Sequence, residues 1–326
     1  MTIANQTKLV TVFGGSGFVG RYIVRALAKR GYRIRVAVRR PDLAGFLQPA
    51  GNVGQISFVQ ANLRFRNSVD RAVQGSDYVI NCVGILFENG RNKFDSVQDF
   101  GARAVAEAAR AAGAKLIHLS AIGAASGSNS DYARTKGLAE KAIREILPDA
   151  TILRPSVVFG PEDQFFNKFA NMARTAPFLP LVGGGKTAFQ PVYVGDIAEG
   201  VANLVDGKAL AGRIYELGGP EVLTFRQCLE IILSEIDRDK PLVSLPFSVA
   251  SLLGSLASLV PFIAPPITAD QVKLLKHDNV VSKEAEAEGR TLTALGVTPT
   301  LVAAIIPSYL VHYRPAGQYA RTGKSA

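Results

Sequence analysis

The chain has 326 residues, 48% hydrophobic and 20% charged, a globular balance that excludes disorder as the main state. Its length suits one large domain or two closely joined ones. Thirty-seven Lys and Arg against 27 Asp and Glu leave a formal charge of +10, with an isoelectric point near 9.7 and a mean hydropathy of +0.16. An anionic partner is therefore expected: a phosphorylated cofactor, a lipid surface or nucleic acid. Two cysteines, Cys82 and Cys228, make no disulfide framework and fit a reducing compartment. His118, His277 and His312 are scattered without cysteines at ligand spacing, so no metal site is expected. Residues 1–7 show neither a secretory signal nor an Arg-rich presequence, which predicts a cytoplasmic protein.

The N-terminal half alternates short β-branched runs with longer helical patterns, as a parallel sheet covered by helices does. Lys8–Phe13 reads as the first strand and Val19–Arg30 as the first helix. Strands follow at Arg33–Val38, Ile56–Gln60, Tyr78–Cys82 and Lys115–Ser120, with an Ala-rich helix over Gly101–Ala112 before the last. Tyr132–Leu147 reads as a helix and Thr151–Arg154 as a strand before Pro155. With right-handed crossovers these elements make an α/β fold with a Rossmann-type, doubly wound parallel sheet. From Glu162 the rhythm changes. Phe165–Thr175 is helical, and Pro177, Pro180 and Gly183-Gly184-Gly185 mark a loop. Phe189–Val194, Asp196–Val205 and Arg213–Leu217 are expected to rejoin the sheet. The division expected is a nucleotide-binding domain (1–161 and 188–220), a smaller, mostly helical substrate or interface domain (162–187 and 221–314) and a flexible tail (315–326).

Chemistry starts at Phe13-Gly14-Gly15-Ser16-Gly17-Phe18-Val19-Gly20, directly after the first strand. Gly14 permits a tight turn, Gly17 lets the backbone approach a pyrophosphate, and Gly20 lets helix and strand pack closely. The helix behind the turn presents free N–H groups to phosphate. An NAD site carries an acid at the end of the second strand. Here that strand ends Val38-Arg39-Arg40, with no acid before Asp42. Two guanidinium groups suit a 2′-phosphate, so NADP(H) is expected ahead of NAD(H).

Tyr132 and Lys136 stand at i and i+4 on one helix face. An ammonium beside a phenol favours the phenolate and is expected to lower the Tyr132 pKa toward a range useful for proton transfer. Ser120, at the end of the preceding strand, is placed to hold a substrate carbonyl.

Ser120, Tyr132 and Lys136 together resemble the catalytic set of the short-chain dehydrogenase/reductase superfamily. The resemblance implies Tyr132 as general acid or base, Lys136 as its partner and a cofactor-ribose ligand, and Ser120 as substrate-orienting. Asn81-Cys82-Val83-Gly84 is similar to the turn that packs the cofactor after the fourth strand. Arg154-Pro155-Ser156-Val157-Val158-Phe159-Gly160-Pro161 and Gln190-Pro191-Val192-Tyr193-Val194-Gly195-Asp196-Ile197-Ala198 resemble segments of the extended and atypical members. Gly14 to Val19, Arg39, Arg40, Asn62, Leu63, Cys82, Val83, Gly84, Tyr132, Lys136, Pro155 and Val158 are thereby implied as cofactor-binding residues. Two departures stand out: Asn62-Leu63 replaces the usual Asp-Leu, and Phe159 replaces the common Tyr. Within the superfamily, residues 161–170, 186–194 and 270–281 look like the NAD(P)H-binding accessory subunit of respiratory complex I and its bacterial relatives. That group implies complex I subunits as partners and a structural NADPH.

Pro241 to Ala269 carries no charge. A helix between Pro246 and Pro261 would be about 21–24 Å long, too short to span a bilayer. Ser248, Ser251, Ser255 and Ser258 share one stripe, opposite Leu252, Leu253, Leu256, Leu259 and Val260. It reads as a core helix or as a surface that rests on a membrane or an apolar partner. Three functions share these features. One is an NADP(H)-binding accessory protein of complex I, peripheral on the cytoplasmic face of the inner membrane. The second is an NADPH-dependent reductase or epimerase on a small quinone-like or prenylated molecule. The third is a module that reports NADPH level. No platform for nucleic acid stands out.

Overall fold

A computed structural model describes residues 7–257, 268–315 and 317. Among them, residues up to Pro155 together with Val194–Leu217 and Val281–Thr298 form one compact unit. Ser156–Tyr193, Gly218–Val280 and the residues from Pro299 form a second. Residues 281–298, expected in the smaller domain, thus pack with the first unit.

The first unit holds a sheet of seven parallel strands: β1 (Leu9–Phe13), β2 (Arg33–Val38), β3 (Ile56–Gln60), β4 (Tyr78–Asn81), β5 (Lys115–Leu119), β6 (Thr151–Pro155) and β7 (Ile214–Leu217). Their order is β7-β6-β5-β4-β1-β2-β3, the doubly wound pattern whose switch point lies between β1 and β4. Helices α1 (Phe18–Lys29), α2 (Arg66–Val73), α3 (Phe100–Ala111) and α4 (Asp131–Ile146) make the crossovers. α1 buries Ile23, Val24 and Leu27, and its C-terminal Arg30 donates to Asp206 at 2.7 Å. Strand ends agree with the sequence reading within one residue. Helix α2 was not expected. Its start lacks a capping side chain, and only Val69, Ala72 and Val73 are buried, so both start signal and apolar stripe are weak.

The second unit is built differently. Its core gathers Phe159, Phe166, Phe169, Phe189 and Phe225, with helices α5 (Phe166–Thr175), α7 (Phe225–Glu235) and α8 (Phe247–Ala257); α6 (Val194–Val205) belongs to the first unit. Buried Asp163 organises the chain around it, accepting the Tyr309 hydroxyl at 2.7 Å and the N–H groups of Gly160, Phe165 and Asn167. The expected loop around Pro180 contains a strand, Leu179–Val182, parallel to Leu242–Leu245. A two-stranded ribbon tolerates the missing N–H of Pro180. Phe189–Val194 does not rejoin the main sheet: Pro191 splits it into two-residue strands at Ala188–Phe189 and Val192–Tyr193.

Helix α8 falls where the charge-free stretch predicts a helix. The core-helix reading is corrected for its described part, since Val249, Leu252 and Leu253 are exposed and only Ala250 and Gly254 are buried. The Leu256 side chain and Ser258, Leu259 and Val260 lie outside the described residues, as does most of the 315–326 tail. Among the described residues no helix is long and apolar enough to cross a membrane.

Candidate functional site

The glycine turn closes on the strand edge beside the switch point. The Gly14 N–H donates to Ala37 O at 3.0 Å, which ties the turn to β2, and the Gly17 N–H donates back to Gly14 O at 2.9 Å. Gly14 has φ +71°, a conformation that favours glycine. A Cβ on Gly20 would stand 2.2 Å from Gly14 O, so helix and turn touch through bare backbone. Gly15 packs on Val36 of β2. Gly17 caps α1 with no side-chain hydrogen bond, and Ser16, Phe18 and Val19 complete the first turn. The first N–H groups of this twelve-residue helix have no partner within it and stand at its positive end.

The turn after β4 lies against this one. A Cβ on Gly14 would meet Val83 Cγ2 at 3.1 Å and the Cys82 carbonyl carbon at 3.4 Å. The Val83 N–H donates to Asn81 Oδ1 at 3.1 Å. That fixes the Asn81 amide so that Nδ2 donates to His118 Nδ1, 3.2 Å away on β5. Gly84 faces Lys136, whose Nζ would lie 3.5 Å from a Cβ placed there. Thus Gly14, Cys82, Val83, Gly84 and Lys136, distant in sequence, form one continuous patch.

Lys136 is buried and donates to Leu119 O at 2.9 Å. Burial pulls its ammonium down to about 8, against the opposing pull of Glu140 and Cys82. Half-buried Tyr132 packs its ring edge-on against Phe94, centroids 6.0 Å apart. Its phenol is pushed up to about 12 by burial, so the expected lowering by Lys136 is corrected: desolvation decides. His118 is driven well below its ordinary value by burial and then by Lys136, which keeps its imidazole neutral.

Ser120 directly follows β5 and stands beside a buried acid. Its hydroxyl donates to Glu140, which is buried and also takes a forked contact from Arg154, with Nε to Oε1 at 3.0 Å and Nη2 to Oε2 at 2.6 Å. Arg154 reaches Glu216 at 3.5 Å as well. Glu140 is the residue the sequence reading missed. It stands four residues after Lys136, so Tyr132, Lys136 and Glu140 continue one stripe; an acid at that spacing reads as a surface pair until its burial is known.

At the other end of the edge, Arg39 and Arg40 are both exposed. Arg40 pairs with Asp42 at 2.7 Å, while Arg39 makes a 3.4 Å contact to Asn92 Oδ1. Asn62 Oδ1 accepts the Arg64 N–H at 3.1 Å, and Leu63 is buried against Gly101 of α3. Pro155 ends β6 and accepts the Ile122 N–H at 3.0 Å. Val158 opens a two-residue strand of the second unit, paired with Val192.

A model described as the NAD dependent epimerase/dehydratase family matches residues 10–218. The chain belongs to this family. Its relatives include the Arabidopsis thaliana "NADH dehydrogenase [ubiquinone] 1 alpha subcomplex subunit 9, mitochondrial", 34% identical over 95% of this chain and 79% of that protein. A "ceramide reductase" of Caulobacter vibrioides is 37% identical over 53% of this chain and 54% of its own length. Among solved structures, a dTDP-glucose 4,6-dehydratase of Streptomyces venezuelae has the same fold, with a TM-score of 0.70 at 21% identity over 93% of this chain and 95% of that one. The family match reaches all seven strands of the sheet and includes the turn, Tyr132 and Lys136 described above.

Proposed function

We propose that this chain binds NADP(H) at the glycine turn and is an accessory protein of respiratory complex I, in which the nucleotide holds the fold and an interface. The observation that carries the reading is the likeness over 95% of the chain to a protein named as a subunit of NADH dehydrogenase. The state of the site supports it. The Ser120 hydroxyl is given to Glu140. The NADP preference rests on exposed Arg39 and Arg40 at the end of β2. On this reading the protein is peripheral on the cytoplasmic face of the inner membrane. In gently solubilised membranes from cells making the tagged chain, it is expected to co-migrate with NADH dehydrogenase activity and to retain NADPH. Full recovery in the soluble fraction at low ionic strength, with none co-migrating, would sink the reading.

A second reading is an NADPH-dependent reductase of a carbonyl on a lipid-like or quinone-like molecule. Tyr132 and Lys136 are both present on one helix face, and the partial relative named ceramide reductase favours such a substrate. Here Tyr132→Phe is expected to abolish NADPH oxidation while cofactor affinity stays within about twofold, because the phenol serves proton transfer alone. Unchanged turnover in that variant would rule this reading out.

A further inference from the structure

Two concavities of about 360 and 310 Å³ lie on the first unit beside α4 and the edge strand β7, and both are lined by Arg144, Arg154 and Ile214. They make one groove, and its cations differ in how they are balanced. Arg154, at the back, is held by Glu140 and Glu216. Arg290 is held by Glu284 and Glu288 and donates to Ile214 O at 2.9 Å. Lys141 and Arg144, one helical turn apart on α4, and Arg213, just before β7, are exposed at the mouth. Among the described residues these three meet no carboxylate within ion-pair range, and Arg144 is steadied by its bond to Gly212 O at 3.2 Å.

We propose that this groove binds a phosphate-bearing anion, gripped by Arg144 and Arg213, which line the first concavity, with Lys141 adding charge from the adjoining one. Like charges brought together from two elements around one concavity repel each other until an anion enters. A phosphate group, with several acceptor oxygens, bridges guanidinium forks that a single-point anion would engage one at a time. The chemistry is shared by a soluble phosphate ester and a phospholipid headgroup. The site is independent of the glycine turn and of the role assigned to Tyr132.

The test uses the full chain with saturating NADPH, so that the dinucleotide site is filled, and inorganic pyrophosphate as probe in calorimetry at constant ionic strength. Arg144→Ala/Arg213→Ala changes only exposed side chains and is expected to weaken pyrophosphate binding at least tenfold. Arg39→Ala, in the nucleotide region, is expected to leave it within twofold; a loss in Arg39→Ala instead would mean that pyrophosphate reports the dinucleotide site and would overturn the assignment. No binding by the wild-type chain, or equal affinity in the double variant, would also overturn it. A parallel arm uses vesicles of phosphatidylcholine with and without phosphatidic acid. Capture that needs both phosphatidic acid and the two arginines identifies a lipid source; pyrophosphate binding without capture identifies a soluble one.

Discussion

In the first unit, strands of four to six residues run parallel, and their register brings Phe13, Asn81 and His118 side by side. The turns that leave those strands therefore meet at one edge: Gly14 lies against Cys82 and Val83, and Lys136 against Gly84, although more than a hundred residues separate Gly14 from Lys136. In the second unit, strands of two to four residues and a cluster of phenylalanines achieve burial without any such edge. Its polar centre, Asp163, is consumed by hydrogen bonds from its own loop and from Tyr309. The difference is one of geometry: a parallel sheet collects strand ends, whereas an aromatic cluster collects side chains. Chemistry gathers where strand ends gather.

The largest effects should split cleanly along this line. Gly20→Ala puts a methyl group 2.2 Å from Gly14 O and forces the turn apart. NADPH affinity is expected to fall roughly a hundredfold, about 2.7 kcal/mol. Phe225→Ala removes a fully buried ring from the second unit and is expected to cost about 3–5 kcal/mol of stability. It should leave NADPH affinity within about twofold, because the glycine turn is built from the other unit. Calorimetry and urea denaturation on both variants give the four values. If Phe225→Ala lowers affinity as much as Gly20→Ala does, the two units do not divide the work in this way.

The same contrast explains what was legible beforehand. The sheet shows in sequence because each strand is a β-branched run bounded by turn residues, and the glycine spacing states its purpose locally. Tyr132 and Lys136 were legible because one helical turn joins them. Glu140 was not, since nothing local tells a surface acid from one buried against Arg154 and Ser120. The rise in the Tyr132 pKa was missed for a like reason: the Lys136 charge is visible at i+4, but the shift comes from burial, which depends on packing. In the second unit the strand Leu179–Val182 hides behind Pro180, and its partner Leu242–Leu245 lies sixty residues away, so no local pattern announces the pair.

Glu140 sharpens the comparison between a paired and an unpaired buried charge. Arg154→Met leaves the Glu140 carboxylate buried without its cation, and is expected to cost about 3 kcal/mol in urea denaturation. Adding Glu140→Gln to that variant removes the stranded charge and should recover more than half of the loss. If the double variant is no more stable than the single one, the pair contributes through packing alone.

The smallest effect concerns Lys136 and has the opposite sign. Its folded value near 8 lies below the ordinary lysine value of 10.5, chiefly through burial. Between pH 8 and 10.5 the unfolded chain holds a proton that the folded chain has released, so stability rises with pH across that window. Below pH 8 the folded protein carries the full cost of a buried ammonium, about 3 kcal/mol from the size of the shift. Lys136→Met removes that cost but strands the Leu119 carbonyl, which gives back about 1 kcal/mol. The variant without nucleotide is therefore expected to be more stable than the wild type by about 2 kcal/mol at pH 7, with the gap closing at about pH 9.5 and reversing to about 1 kcal/mol in favour of the wild type by pH 10.5. NADPH affinity should fall in the same variant if Lys136 holds the cofactor ribose. A residue kept at a cost to stability serves a ligand, whereas one such as Phe225 serves the fold. A Lys136→Met protein that is less stable than the wild type at pH 7 would place Lys136 with Phe225.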